Sequence, residues 1–92
     1  MSYSYNLAGQ RIVVTGGAGF VGSNVVRRLL AERARVVVLD DFYTGDDHNL
    51  PNDEPNLGIV RGSVTDFELT RDVMKGSSLV FHLAARNIIV ST

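Results

Sequence analysis

R-I-V-V-T-G-G-A-G-F-V-G, the stretch from Arg11 to Gly22, decides the fold. An apolar β-branched run, Ile12-Val13-Val14, leads into glycines at 16, 17, 19 and 22. The spacing contains G-x-G-x-x-G at Gly17, Gly19 and Gly22, and the overlapping G-x-x-G-x-x-G at Gly16, Gly19 and Gly22. A buried-strand pattern precedes the glycines and a helical pattern follows them, the context that a phosphate-binding βα turn requires. Gly16 and Gly17 supply the backbone angles of a sharp turn. Gly19 admits a pyrophosphate close to the main chain, and Gly22 lets the helix pack on the strand. The helix N-terminus then offers N–H groups and partial positive charge to phosphate oxygens. The competing reading is a tight turn without a ligand, but four glycines in seven residues would weaken a purely structural element.

Outward from the turn, residues 19 to about 32 read as a helix. Val21, Val25 and Leu29 fall four apart on one face, with Val26 and Leu30 widening it. Asn24, Arg27, Arg28 and Glu32 take the other side. Arg35 to Leu39 is a second strand, its centre Val36-Val37-Val38 continuous enough to be covered on both faces of a parallel sheet. Residues 42 to 56 carry Gly, Pro, Asn and Asp and read as a loop with room for a helical turn. Leu57 to Arg61 is a third strand. Thr65 with Glu68 forms a capping-box pattern and Gly76 a helix stop, so a second helix spans about 66 to 75, with Phe67, Thr70, Val73 and Met74 as its buried stripe. Leu79 to Leu83 is the fourth strand. Met1 to Gln10 is a polar lead-in, and Ala84 to Thr92 leaves the sheet.

Alternation of this kind predicts a parallel α/β sheet. Right-handed crossovers give strand order 3-2-1-4 with helices on both faces, the first part of a doubly wound Rossmann sheet. Ninety-two residues make at most one small domain. The formal net charge of −1 gives no basic field for nucleic acid or an anionic membrane. There are no cysteines, which excludes disulfides, thiolate metal sites and thiol nucleophiles, and fits a reducing compartment. The N-terminus lacks a basic flank and an apolar core, so it does not read as a signal peptide. The apolar runs fall far short of the roughly 20 residues of a membrane span. A cytoplasmic protein is the expectation.

Asp40 is the second strong signal. It closes the second strand about 20 residues beyond the glycine turn, where an acidic residue accepts from a ribose 2′-OH and repels a 2′-phosphate. A solvated strand-end carboxylate is the alternative. Arg33 and Arg35 precede or lie within the strand rather than following it, which makes NAD the expected dinucleotide and NADP the weaker candidate.

Val14-Thr15-Gly16-Gly17-Ala18-Gly19-Phe20-Val21-Gly22, then Val38-Leu39-Asp40-Asp41 with Thr44-Gly45, then Phe81-His82-Leu83-Ala84-Ala85 resemble the extended short-chain dehydrogenase/reductase family. Within it the likeness is greatest to NAD-dependent nucleotide-sugar epimerases and dehydratases of the UDP-glucose 4-epimerase type. The resemblance covers nearly the whole chain. It implies that Gly16, Gly19, Phe20 and Val21 line the pyrophosphate, the latter two through their backbone. Asp40 would bind the adenosine ribose, and Asp41, Phe42, Thr44 and Gly45 would follow around that ribose and its phosphate. Ser63 and Val64 would face the adenine. Leu83, Ala84 and Ala85 would run beneath the cofactor toward the nicotinamide ribose. The implied activity is transient hydride transfer from a nucleotide sugar to bound NAD.

Two departures accompany the likeness. Ser63 stands where the family usually has aspartate, and a hydroxyl is a weaker acceptor. The family's Tyr-x-x-x-Lys acid-base pair has no counterpart: the tyrosines are Tyr3, Tyr5 and Tyr43, and the single lysine is Lys75. The expectation is therefore an N-terminal cofactor-binding part, residues 1–92, with the substrate domain and its nucleotide-sugar pocket elsewhere. The rival is a standalone dinucleotide-binding or interaction module, or a truncated product, without catalysis. A bare outer edge on the fourth strand would promote self-association.

The remaining candidates are weaker. His82 reads as a buried core histidine on an apolar strand. His48 alone makes no metal site. Arg86 and Asn87 follow the fourth strand on the side where ligands sit in such sheets, or are simply solvated. Asp46, Asp47, Asp53 and Glu54 lack the order of a calcium loop and read as a solvated face.

Overall fold

The β-branched runs become strands because their side chains are buried on both faces. In the computed structural model, which describes residues 6–16, 19–41, 50–51 and 53–83, the elements run β1 Arg11–Thr15, α1 Phe20–Ala31, β2 Arg35–Asp40, β3 Leu57–Arg61, α2 Phe67–Met74 and β4 Leu79–His82. The strands form one parallel sheet in the order β3-β2-β1-β4. This is the 3-2-1-4 order that the sequence predicts.

Alternate residues of the central strands feed two separate cores. Ile12, Val14, Val36 and Val38 point to one face and pack with Val26 and Leu29 of α1, with Ala34 and with Leu50. Val13 and Leu39 point to the other and pack with Val73 of α2, flanked by Val37, Val60, Val64, Leu69 and Met74. Ile12, Val13, Val14, Val38 and Leu39 are completely buried, each contributing about 1.5–3 kcal/mol of hydrophobic stabilisation. The helices therefore cover opposite faces. Leu50, which lies in the stretch 42–56 that the sequence reads as a loop with room for a helical turn, is a core residue at 3% exposure.

Several expectations need correction. The apolar stripe of α1 is rotated: Gly22, Ser23, Val26 and Leu29 are buried, while Val21 is 62% exposed. Val21 instead lines an open groove of about 440 Å³ together with Val25 and Leu29 of α1 and Phe81 of β4. In α2, Phe67 is 80% exposed and Val73, at 7%, is the buried anchor. The cap of α2 is Asp66, whose Oδ1 accepts from the Leu69 N–H at 3.2 Å, rather than Thr65 in a box with Glu68. Thr65 is held in the preceding turn by the Ser63 hydroxyl, 2.7 Å from its own.

His82 is exposed rather than buried; among the described residues β4 pairs only with β1 and stands at the sheet edge. The turn from α1 to β2 uses no glycine. Arg33 takes φ +68°, with its N–H donating to the Leu30 carbonyl and that of Ala34 to the Leu29 carbonyl, the paired bonds of a Schellman helix end.

Candidate dinucleotide site at the carboxyl ends of the strands

In an open parallel sheet ligands bind beyond the carboxyl ends of the strands, at the point where the chain switches from building one way to building the other. Here that point lies at β1, between β2 and β4. Thr15 ends β1 and Gly16 begins the turn at φ +77°, a conformation open to glycine and costly for other residues. The Gly16 N–H donates to the Leu39 carbonyl at 2.9 Å, tying the turn to β2. The Gly19 N–H returns to the Gly16 carbonyl at 3.2 Å. Gly17 and Ala18 lie outside the described residues.

Gly19 is the N-cap of α1, with φ −77° and ψ 176°. Any residue can adopt those angles, and a Cβ there would meet only the Gly16 carbonyl oxygen at 3.6 Å, an ordinary contact. Among the described residues the chain's own packing therefore gives no reason for glycine at this position. A ligand lying on the main chain does. No side chain caps the helix and no acidic residue occupies its first turn. The Ser23 N–H is already satisfied by the Gly19 carbonyl at 2.8 Å. The amides of Phe20 and Val21 precede it, on a helix end whose dipole favours an anion. The side chains of Phe20 and Val21 are exposed, at 82% and 62%.

Asp40 is placed on the β2 side of the same opening. It is 8% exposed, sits in register with Arg61 of β3, and its carbonyl accepts from the Gly62 N–H at 2.9 Å. Asp41 follows it and is exposed. Beyond β3, the Ser63 hydroxyl accepts from the Thr65 N–H at 3.1 Å, and the Ser63 carbonyl accepts from Asp66 N–H at 3.0 Å. Ser63 thus shapes the turn into α2, while Val64 packs with the α2-side core and its carbonyl accepts from the Thr70 hydroxyl at 3.2 Å. On the far side, Leu83 extends β4 and its N–H donates to the Thr15 carbonyl at 2.9 Å. Phe42, Thr44, Gly45, Ala84 and Ala85 lie outside the described residues, as do His48, Arg86 and Asn87.

The structure thus brings Gly16, Gly19, Phe20 and Val21 together at one helix end, with Asp40 and Asp41 to one side and Leu83 to the other. Two residues were missed. Gly62 sits between Asp40 and α2, where a Cβ would run into the Leu69 side chain; its position directly after β3, with a predicted helix close behind, was the available signal. Thr15 carries no role in the sequence pattern beyond its place before the glycines, yet its hydroxyl is bonded across to β4. Among the described residues no group of three His, Asp or Glu side chains is placed to hold a metal ion, and no helix is long and apolar enough to cross a membrane.

Comparison with known proteins gives the same picture from outside. Residues 12–91 match the model of the NAD dependent epimerase/dehydratase family. The chain is 40% identical over 78 residues to UDP-glucuronic acid decarboxylase 2 of Arabidopsis thaliana, covering 83% of this chain and 16% of that protein. It is 39% identical over 80 residues to dTDP-glucose 4,6-dehydratase of Mycobacterium tuberculosis, covering 84% of this chain and 24% of that one. Among solved structures, the Bordetella bronchiseptica enzyme WbmF in complex with NAD+ superimposes with a TM-score of 0.77 at 39% identity, over 86% of this chain and 24% of WbmF. The chain thus spans between a sixth and a quarter of the length of these relatives.

Proposed function

The chain belongs to the NAD-dependent epimerase/dehydratase family, and from that premise we propose that it is the cofactor cradle of an enzyme that modifies a nucleotide sugar. The single observation that carries this reading is the uncapped N-terminus of α1, begun by a glycine whose added Cβ would meet no close contact among the described residues, with Asp40 buried at the end of the adjacent strand.

In this reading the pyrophosphate of NAD lies against Gly16, Gly19 and the amides of Phe20 and Val21. The helix dipole and the N–H donors offset its charge. The Asp40 carboxylate accepts from the adenosine ribose hydroxyls and disfavours a 2′-phosphate. Asp41, with Phe42, Thr44 and Gly45, continues around that ribose. Ser63 and Val64 border the adenine, and the hydroxyl of Ser63, already engaged with Thr65, gives at most a weak contact there. Leu83, with Ala84 and Ala85, lies under the nicotinamide ribose.

Bound NAD supplies a hydride acceptor for a sugar hydroxyl and a store from which the hydride is returned. This chain's contribution is to bind and orient. The proton transfers belong to a Tyr-x-x-x-Lys pair outside residues 1–92, together with the sugar-nucleotide pocket. We place the protein in the cytoplasm, consistent with a sequence free of cysteine.

Self-association through β4 is part of the same proposal. Its outer edge has no strand partner among the described residues, and Val80 and Phe81 are 40% and 37% exposed on it. Unpaired apolar edges recruit further strands.

The test is a calorimetric titration of the 92-residue chain with NAD and NADP, repeated on Asp40→Ala and Asp40→Asn after circular dichroism establishes folding. The expected result is NAD binding, weaker NADP binding, and loss of NAD affinity in both variants. A folded chain that binds neither nucleotide refutes the cradle.

A further inference from the structure

Gly58 is the second of the five residues of β3. A glycine inside a strand weakens it, and it is found at a bulge or where something approaches the main chain closely. There is no bulge here: the register of β3 with β2 runs unbroken from Val36↔Leu57 to Asp40↔Arg61. Gly58 is not among the glycines with positive φ, and a Cβ on it would meet nothing within 4 Å. Among the described residues the fold has no use for a glycine at this point.

The space beside Gly58 is a groove of about 320 Å³ at the amino ends of β1, β2 and β3. Gly58 pairs with Val37, and Arg35 pairs with Arg11. Val37 packs on the α2-side core, so alternation puts Arg11, Arg35 and Gly58 on that same face. The two arginines start neighbouring strands, roughly 4.8 Å apart. Arg11 is pinned by the last carbonyls of α2: its Nε donates to the Lys75 carbonyl at 3.2 Å and its Nη2 to the Val73 carbonyl. That uses two of its five N–H groups. Arg35 is exposed, and its guanidinium has no hydrogen bond or ion pair among the described residues. No acidic residue lines the groove, and Glu54, next to Pro55 in the chain, pairs with neither arginine. Val37, Pro55 and Leu57 supply apolar wall.

We propose that this groove is a second ligand site, for a phosphate monoester that carries a compact apolar group. A carboxylate is satisfied by one guanidinium fork, whereas a phosphate group has three acceptor oxygens and close to two charges for the two forks. The volume is at the small end of organic-ligand pockets, about 300–1,000 Å³, which leaves room beyond the phosphate against the apolar wall. At roughly 3.3 Å per strand residue, Arg35 is about 16 Å from Asp40 along β2. The groove is therefore separate from the dinucleotide cradle and does not rest on that reading.

The experiment is an NMR titration of the chain, read at backbone amides, with phenyl phosphate, inorganic phosphate and benzoate. It is repeated on Arg35→Gln and Gly58→Val. Gly58→Val keeps both arginines, fills the groove, and puts a residue that suits a strand in place of one that does not. The expected result is saturable binding of phenyl phosphate that moves the amides of Val37 and residue 58 and is tighter than that of the other two probes. Its affinity should fall about tenfold in each variant, the scale of a charge-assisted bond, with the melting temperature of Gly58→Val no lower than that of the unsubstituted chain. Shifts centred on Gly19 and Phe20 that NAD abolishes would put the anion at α1 and overturn the proposal. Unchanged affinity in Gly58→Val would overturn it too, by reducing the binding to diffuse attraction. So would inorganic phosphate or benzoate binding as tightly as phenyl phosphate, or no saturable binding. If Gly58→Val does not fold, Arg35→Gln decides by the same fall in affinity.

Discussion

Gly19→Ala separates the needs of the fold from those of the ligand. The residue has φ −77° and ψ 176°, so alanine enters without backbone strain. Its Cβ would find the Gly16 carbonyl oxygen at 3.6 Å, an ordinary contact. Two small terms oppose each other. Alanine is a poorer N-cap than glycine by roughly 0.5–1 kcal/mol. It also stiffens the unfolded chain, which stabilises by about 0.4–1 kcal/mol. The net change in stability is expected to be below about 0.5 kcal/mol, a shift of roughly 2–4 °C at most for a domain of this size. The effect on a pyrophosphate is different in scale. A methyl group on the face the anion must approach displaces it from the amides of Phe20 and Val21, and each charge-assisted bond lost costs about 1.5–3 kcal/mol. Losing one of them lowers NAD affinity by about 10- to 150-fold. Thermal unfolding and calorimetry on the same preparation read both quantities. Unchanged NAD affinity would show that glycine at 19 does not serve the ligand. A collapse of the melting temperature would show that the turn, including Gly17 and Ala18, constrains residue 19 by itself.

Three further outcomes follow from local geometry. Asp66→Ala removes the Oδ1 acceptor of the Leu69 N–H and is expected to cost about 1 kcal/mol, read as a lower denaturant midpoint with an unchanged slope. Arg33→Gly relieves a left-handed arginine at φ +68°; the conformational gain of about 1–2 kcal/mol exceeds the entropic penalty of glycine, so the midpoint should rise by the equivalent of about 0.5–1 kcal/mol. Phe81→Asp on the open edge of β4 should shift the chain toward monomer by light scattering at matched concentration, and an unaltered mass distribution would remove β4 as the association surface.

The sequence revealed most of the architecture because its strongest signals are local. The β-branched runs at 12–14 and 36–38 have few alternatives to buried parallel strands, and the glycines at 16 and 19 mark the turn between strand and helix. The helix faces were harder to read. Val21 and Phe67 match the apolar period of their helices, yet α1 buries Gly22 and Ser23 with Val26 and Leu29 and α2 buries Val73; an apolar period does not count small residues such as Gly22 and Ser23 toward the buried face. At the start of α2 both Thr65 and Asp66 are competent caps; the choice fell to Asp66 because Ser63 had already engaged Thr65, a competition between neighbouring hydroxyls that a four-residue pattern does not register. Leu50 lies among turn-forming residues, so only the three-dimensional course of the chain reveals that it reaches the core. The site is partly legible for the same reason. Gly16, Gly19 and Asp40 are signalled by their spacing along the chain, whereas the Thr15 hydroxyl is bonded to a partner 67 residues away.

That separation has a temporal meaning. A ribosome adding about 5–20 residues per second delivers His82 roughly 3–13 s after Thr15. During that interval β1 and β2 can pair, since a short helix joins them, but the other flank of β1 has no partner. Ile12, Val13 and Val14, completely buried in the finished sheet, spend those seconds on a nascent chain with one edge open. Of the two central strands, β1 is thus the last to gain its second neighbour, and its open flank is the surface a chaperone would meet during synthesis.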